Sequence, residues 1–392
     1  MSIVKKQKTG KEIDMAKAIY EAIYASPLGR ISYADYMRLA LYDERCGYYM
    51  SERTKIGKDG DFFTNSYVSD LFGKLFASFF LRLVEKGGVL PHICEFGGGD
   101  GKFARAVLEE WKRKSPHTYK QLSYIIVETS PFQRAKQLQT LGDAAEKVMQ
   151  YKDLKELKQH MPSFTGIVFS NEFFDAFPVH VIAKENGKIY ECFVTVNDGK
   201  LIEEKYPLDN EDIFQYLHER QLYLANGQRL EVPLAIKQFL LQTSAFFQNS
   251  VMITIDYGYT DKELQWPARQ QGSLRGYYRH RLITDPLMYP GEMDITAHVQ
   301  WDALRMYGEQ AGWEYVALVR QDRFLLAAGI LEYLVTHDDT NPFSSKNRQN
   351  RALRSLIMDE GISSAFHVMI QQKGMQLCWD DIWVQQEFLL FS

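Results

Sequence analysis

An apolar run that ends in a burst of glycine constrains this chain more than any other feature. The residues "HICEF" (92–96) read as a short buried strand, and "GGGDG" follows at once, with four glycines within five residues. Next comes "KFARAVLEEWKRK", in which Phe103, Val107 and Trp111 share one helical face. A strand, a stretch of bare backbone and a helix together make a turn built for close approach. The approach is by a ligand or by another part of the chain.

The surrounding pattern sets the fold class. "LSYIIVE" and "GIVFSNE" are continuous apolar runs that read as buried strands, with the helical "PFQRAKQLQTL" between them, and "VMITIDYGY" returns the pattern later. Continuous apolar strands alternating with helices indicate an α/β chain with a mostly parallel sheet covered on both faces. "HVQWDALRMYGEQAGW" reads as a further helix and "WEYVALV" as a further strand. Between "GIVFSNE" and "VMITIDYGY", Asn186-Gly187 and Asp198-Gly199 sit among alternating apolar residues and predict two hairpins. The division expected is a helical N-terminal region over 1–90, a core over 91–185 and 251–330, an inserted β-meander with a helix over 186–250, and a helical C-terminal extension over 331–392.

Composition narrows the partners. Lys and Arg number 46 against 50 Asp and Glu, a formal charge of −4, so no global field draws the chain to nucleic acid or anionic lipid. The cysteines, at 46, 94, 192 and 378, form no CxxC pair, which argues against a zinc site or a disulfide framework. The N-terminus lacks an apolar signal core and carries early acidic residues, and no apolar run is long enough to span a bilayer. The expectation is a cytoplasmic protein in a reducing compartment, with no metal, membrane or nucleic-acid partner.

Three ligands compete for the glycine loop. Its glycines fall at Gly97, Gly99 and Gly101, but a dinucleotide fingerprint needs a third glycine where Lys102 stands. No GK[ST] follows, which removes a Walker loop. Glu95 lies two residues before the loop and Glu128 ends the next strand. A carboxylate at the second position can accept ribose hydroxyls, and one facing the loop can hold an ammonium. Acidic groups suit S-adenosyl-L-methionine, which has a ribose, an ammonium and a sulfonium but no phosphate. A tight turn without a ligand explains the glycines alone; it does not explain the two glutamates. A second polar set, Asn171, Glu172 and Asp175 in "FSNEFFDAFPVH", falls at the carboxyl end of a strand. A helix cap with acidic residues in its first turn explains that composition equally well.

Beyond these motifs, the blocks "ISYADYMRLALYDERCGYY", "GDFFTNSYVSDLFG", "EFGGGDG", "VETSPFQRAKQ", "SNEFFDAFPVHV", "IDYGY", "GSLRGYYRHR" and "PGEMDITAHV" occur in order. With them the chain resembles the MidA family of S-adenosylmethionine-dependent methyltransferases, whose mitochondrial members assist complex I assembly. The resemblance covers approximately residues 29–330 and points to a bacterial-type member. It implies a class I, Rossmann-like methyltransferase fold with a seven-stranded, mostly parallel sheet. It also implies that Gly97, Gly99 and Gly101 approach the methionine part of the donor, and that Glu128 holds the ribose. Gly60, Asp61 and Thr64 of "GDFFT" would cover the pocket. Asn171, Glu172 and Asp175 would line the methyl-transfer site, with arginine of a protein substrate as the acceptor.

The sequence departs from the family at Asn65 and Tyr67, where serine and glutamate are usual, and at Ala106, where aspartate is common. An assembly factor without catalysis, a different acceptor and a nicotinamide oxidoreductase are the competing readings. "SLRGYYRHR", with Arg275, Arg279, His280 and Arg281, reads either as a stacking and phosphate-binding loop or as a solvated basic one. His298 reads as a core or capping histidine.

Overall fold

The structure is a computed structural model that describes residues 10–52, 66–358 and 365–389. The chain forms two compact units. One comprises Thr64–Phe173, Phe239–Gly258 and Leu304–Ser392; the other comprises Met1–Phe63, Phe174–Gln238 and Tyr259–Ala303.

The first unit is built on a mixed sheet. Its strands along one path are β1 (His92–Phe96), β2 (Ser123–Val127), β3 (Val148–Tyr151), β4 (Phe164–Asn171), β5 (Phe247–Tyr259), β6 (Glu314–Arg320) and β7 (Phe366–Lys373). They run in the order β3-β2-β1-β4-β5-β7-β6. The pairs from β3 to β5 are all parallel, whereas β7 is antiparallel to both β5 and β6. Among the described residues the sheet counts eight strands, seven of them on this path, so it is mixed and larger than the seven strands expected. Chain order reverses between β1 and β4. Loops leaving the carboxyl ends of those two strands diverge there, which opens the crevice where such sheets bind ligands.

Burial explains the parallel pattern. In β1 and β2 every residue after the first is buried, so side chains on both faces are covered. The helices Ser66–Glu85 and Lys102–Lys114 approach closely: a Cβ on Gly73 would lie 2.6 Å from that of Ala106. Phe103 stacks on Phe169 with centroids 4.4 Å apart, and Phe76 packs against both Phe169 and Phe324 at 5.3 Å. Phe76 is fully buried, and replacing a residue so placed with alanine typically costs about 3–5 kcal/mol.

One expectation fails here. The segment 331–392 was expected to be helical; it does hold the helix Ser345–Ile357, but it also contributes β7 to the sheet. In "FHVMIQQK" the polar Gln371 and Gln372 are buried, so the strand lacks the apolar signature of its neighbours.

The second unit carries the meander. Strands His180–Glu185, Lys188–Asn197 and Lys200–Pro207 pair antiparallel in succession. Both predicted hairpins are present as two-residue turns, with positive φ at Asn186, Gly187, Asp198 and Gly199. Helix Tyr33–Tyr42 begins at Ser32, whose hydroxyl accepts the Asp35 amide, and its buried face joins Val181, Val194 and Ile295 in one apolar cluster. Arg229 and Glu203 form an ion pair at 2.6 Å, and the Tyr33 hydroxyl donates to the same carboxylate at 2.8 Å. Among the described residues no helix is long and apolar enough to cross a membrane.

Candidate functional site

The crevice of the first unit is assembled from strand ends. β1 runs directly into the glycine loop, and the Gly97 amide donates to the Val127 carbonyl at 3.0 Å, which ties the loop to β2. Gly99 adopts φ +50, and a Cβ built there would meet nothing within 4 Å. Its backbone therefore faces open space on one side, as approach by a ligand requires. Gly101 differs. It starts the helix Lys102–Lys114 at φ +82, and a Cβ there would lie 3.1 Å from the Gln137 Cα. Its bare face lets the helix Pro131–Leu141 pack in, whereas Gly97 lies over Phe173, 3.2 Å from a built Cβ.

Glu95 lies beneath the loop. It is 4% exposed, and its Oε2 accepts the Tyr124 hydroxyl at 2.8 Å. Burial pushes its carboxyl up to about 7, against the lowering effect of the tyrosine, and the nearby Glu128 adds to the rise. Glu128 follows β2 and is half-buried. Its amide donates to Tyr151 and its Oε1 accepts the Ser130 amide at 2.9 Å.

Several residues position this loop system without appearing in the sequence reading. Gln137 is fully buried; its Nε2 donates to the Gly99 carbonyl at 2.9 Å, and its Oε1 accepts from Gln150 at 2.6 Å. Arg134 donates through one nitrogen to the carbonyls of Glu128 and Thr129. Gln133 and Gln137 are both buried and stand one turn apart, and two inward glutamines on a helix beside a glycine loop are the signal that marks them.

Next to the loop in the sheet, β4 ends at Asn171. Glu172 then takes φ +49, a conformation that typically costs a non-glycine residue about 1–3 kcal/mol. The neighbouring strand holds it there. The Glu172 amide donates to the Ile255 carbonyl at 2.9 Å, and the fully buried Asp256 accepts the amides of Phe173 and Tyr257. Asp256, in the "IDYGY" block, was not singled out from the sequence. The Glu172 side chain is exposed, and the Asn171 amide donates to it at 3.3 Å.

The other expected residues fall elsewhere. Asp175 belongs to the second unit, where it is buried, its carbonyl accepts the Ala297 amide, and its charge helps raise the pKa of Tyr49. Gly60, Asp61 and Thr64 lie outside the described residues, as does Asn65; Tyr67 stands in the helix Ser66–Glu85. Ala106 is buried with its Cβ facing Gly73 across the close helix crossing, a setting that favours a small apolar residue over an aspartate.

This donor set suits a cation and a diol. The crevice presents Glu128 and Glu172 over the buried Glu95, and Lys102, at the start of the helix after the loop, is paired with Asp100 at 2.7 Å. A sheet in this order with one antiparallel strand, a glycine loop after β1 and a carboxylate after β2 defines a class I methyltransferase. A family model for S-adenosyl-L-methionine-dependent methyltransferases matches residues 72–319, and the chain belongs to that family, the MidA family resembled above. It is 28% identical over 311 residues to the Drosophila melanogaster mitochondrial homolog of protein arginine methyltransferase NDUFAF7, a match covering 72% of this chain and 68% of that one. The Mus musculus protein of that name is 27% identical over 369 residues, covering 86% and 80%. A Burkholderia thailandensis protein solved with bound S-adenosyl-homocysteine superposes with TM-score 0.82 at 28% identity, over 96% of this chain and 97% of that one. The chain is thus an S-adenosyl-L-methionine-dependent methyltransferase.

Proposed function

We propose that the enzyme methylates arginine side chains of a protein, with Glu172 as the residue that engages the guanidinium. The observation that carries this reading is the strained Glu172. A carboxylate is held at φ +49 and exposed where β4 ends, beside the glycine loop that follows β1. The names of the relatives in fly and mouse support arginine as the acceptor.

The bound donor supplies an electrophilic methyl group. The chain's part is positioning. Glu172 accepts N–H bonds from the guanidinium, as a planar fork and a carboxylate pair readily, and turns one nitrogen toward the methyl carbon. That nitrogen forms the new bond as the carbon–sulfur bond breaks, and the proton it then sheds passes to Glu172 or to solvent. Asn171 steadies the carboxylate from one side. Asp256 fixes the backbone on which it rides. Gly97, Gly99, Gly101, Glu95 and Glu128 form the donor's surroundings in this reading.

A charge-assisted contact of this kind is worth about 1.5–3 kcal/mol, so its loss slows turnover about tenfold or more. Glu172→Gln should bind S-adenosyl-homocysteine as the parent does and methylate about tenfold more slowly or worse. The assay is mass spectrometry of arginine-containing peptides from cells that lack the protein, express it, or express Glu172→Gln. Methylated arginine that appears only with the parent supports the reading. Equal methylation by the variant, or methyl groups found only on other residues, refutes it.

A further inference from the structure

The second unit contains a pair of guanidinium groups that the methyl-transfer chemistry does not use. Tyr259, Arg269, Arg275 and His298 come together there. The Arg269 guanidinium lies over the Tyr259 ring, 4.1 Å from its centroid, and the His298 ring meets the same tyrosine edge-on at 4.5 Å. Arg275 donates from Nη2 to the His298 Nε2 at 2.8 Å and from Nε to the Ser273 carbonyl at 2.9 Å. His298 accepts at Nε2 and is therefore neutral; burial and the two arginines hold its pKa down at about 3.

Among the described residues neither Arg269 nor Arg275 has an acidic partner within 4 Å. The nearby acids are committed elsewhere. Glu231 accepts the amides of Ser273 and Leu274 and the Ser273 hydroxyl, and Glu263 accepts the Thr260 amide and hydroxyl in a capping box. The Arg269 Nε is shielded from solvent and makes no hydrogen bond. A solvated basic loop does not hide a charged donor in this way, because a buried donor without an acceptor costs free energy that a ligand can recover. Both side chains remain partly exposed, so a ligand can reach them. Arg279 and His280, by contrast, form the positive-φ turn of the hairpin between Arg275–Tyr278 and Arg281–Ile283.

We propose that Arg269, Arg275 and Tyr259 form a carboxylate-binding site that takes an acidic side chain of the polypeptide acceptor. The acceptor half of this statement rests on the function proposed above. A guanidinium anchored over an aromatic ring keeps its N–H edge for bidentate pairing, which matches a planar carboxylate.

The test uses the full chain saturated with S-adenosyl-homocysteine and a fluorescent Gly-Arg-Gly peptide flanked by glutamates, compared with the same peptide flanked by glutamines. Fluorescence anisotropy should show the glutamate peptide binding about tenfold tighter or more, with the preference weakening at high salt. Arg269→Gln should erase the preference and Arg269→Lys should retain part of it. Because the only hydrogen bonds of Arg269 are made by its backbone, which the substitutions keep, both variants should keep the parent's thermal midpoint. An undiminished preference in Arg269→Gln overturns the site. Equal binding of the two peptides, with inorganic phosphate binding that depends on Arg269, overturns the carboxylate assignment. A glutamate preference without arginine methylation supports the site and removes the arginine reading. Arginine methylation without that preference does the reverse.

Discussion

Glu95 offers a prediction whose size follows from its surroundings. Its carboxyl is buried under the glycine loop, and folding raises it from 4.5 to about 7. Between those values the folded chain keeps a proton that the unfolded chain has lost. Stability therefore falls as pH rises through this window, and above it the deficit is about 3 kcal/mol. Glu95→Gln has nearly the same shape, can still accept from Tyr124, and never ionises. Its stability should equal the parent's near about pH 4 and below, where the carboxyl is protonated in both the folded and the unfolded parent, and exceed it by about 3 kcal/mol near about pH 8. Urea unfolding followed by tryptophan fluorescence across this range measures the difference directly. A variant whose stability parallels the parent's at every pH would refute the buried, proton-holding Glu95.

Two further substitutions probe the loop. Gln137→Leu leaves the Gly99 carbonyl without its 2.9 Å donor and Gln150 without an acceptor; affinity for S-adenosyl-homocysteine, measured by calorimetry, should fall by about 1–3 kcal/mol, and unchanged affinity would show that the buttress is idle. Gly101→Ala places a methyl 3.1 Å from the Gln137 Cα at φ +82; chemical denaturation should show a loss of about 1–3 kcal/mol, and no loss would mean that the two helices yield freely.

What the sequence made legible follows from burial. β1, β2, β4 and β5 are covered on both faces, so their residues form continuous apolar runs that identify a parallel sheet. The two I′-type hairpins were equally plain, because Asn-Gly and Asp-Gly supply the positive φ such turns need. β7 escaped notice because its buried face includes Gln371, and β3 because only four residues, "VMQY", carry it. Glu128 and the glycine loop could be placed from spacing alone. Gln137, Arg134 and Asp256 could not, because their partners are backbone groups that only the folded chain brings near. Spacing does not settle whether Glu172 and Asp175 act together: only two residues stand between them, yet they fall in different units.

The central claim is that the loop from Gly97 to Gly101, flanked by Glu128, holds the methyl donor. Calorimetric titration of S-adenosyl-homocysteine into the parent and into Glu128→Ala tests it most directly. Loss of a carboxylate that accepts both ribose hydroxyls should weaken binding about tenfold or more, with the fold retained. Equal dissociation constants for the two proteins would contradict the assignment and move the nucleoside away from the end of β2.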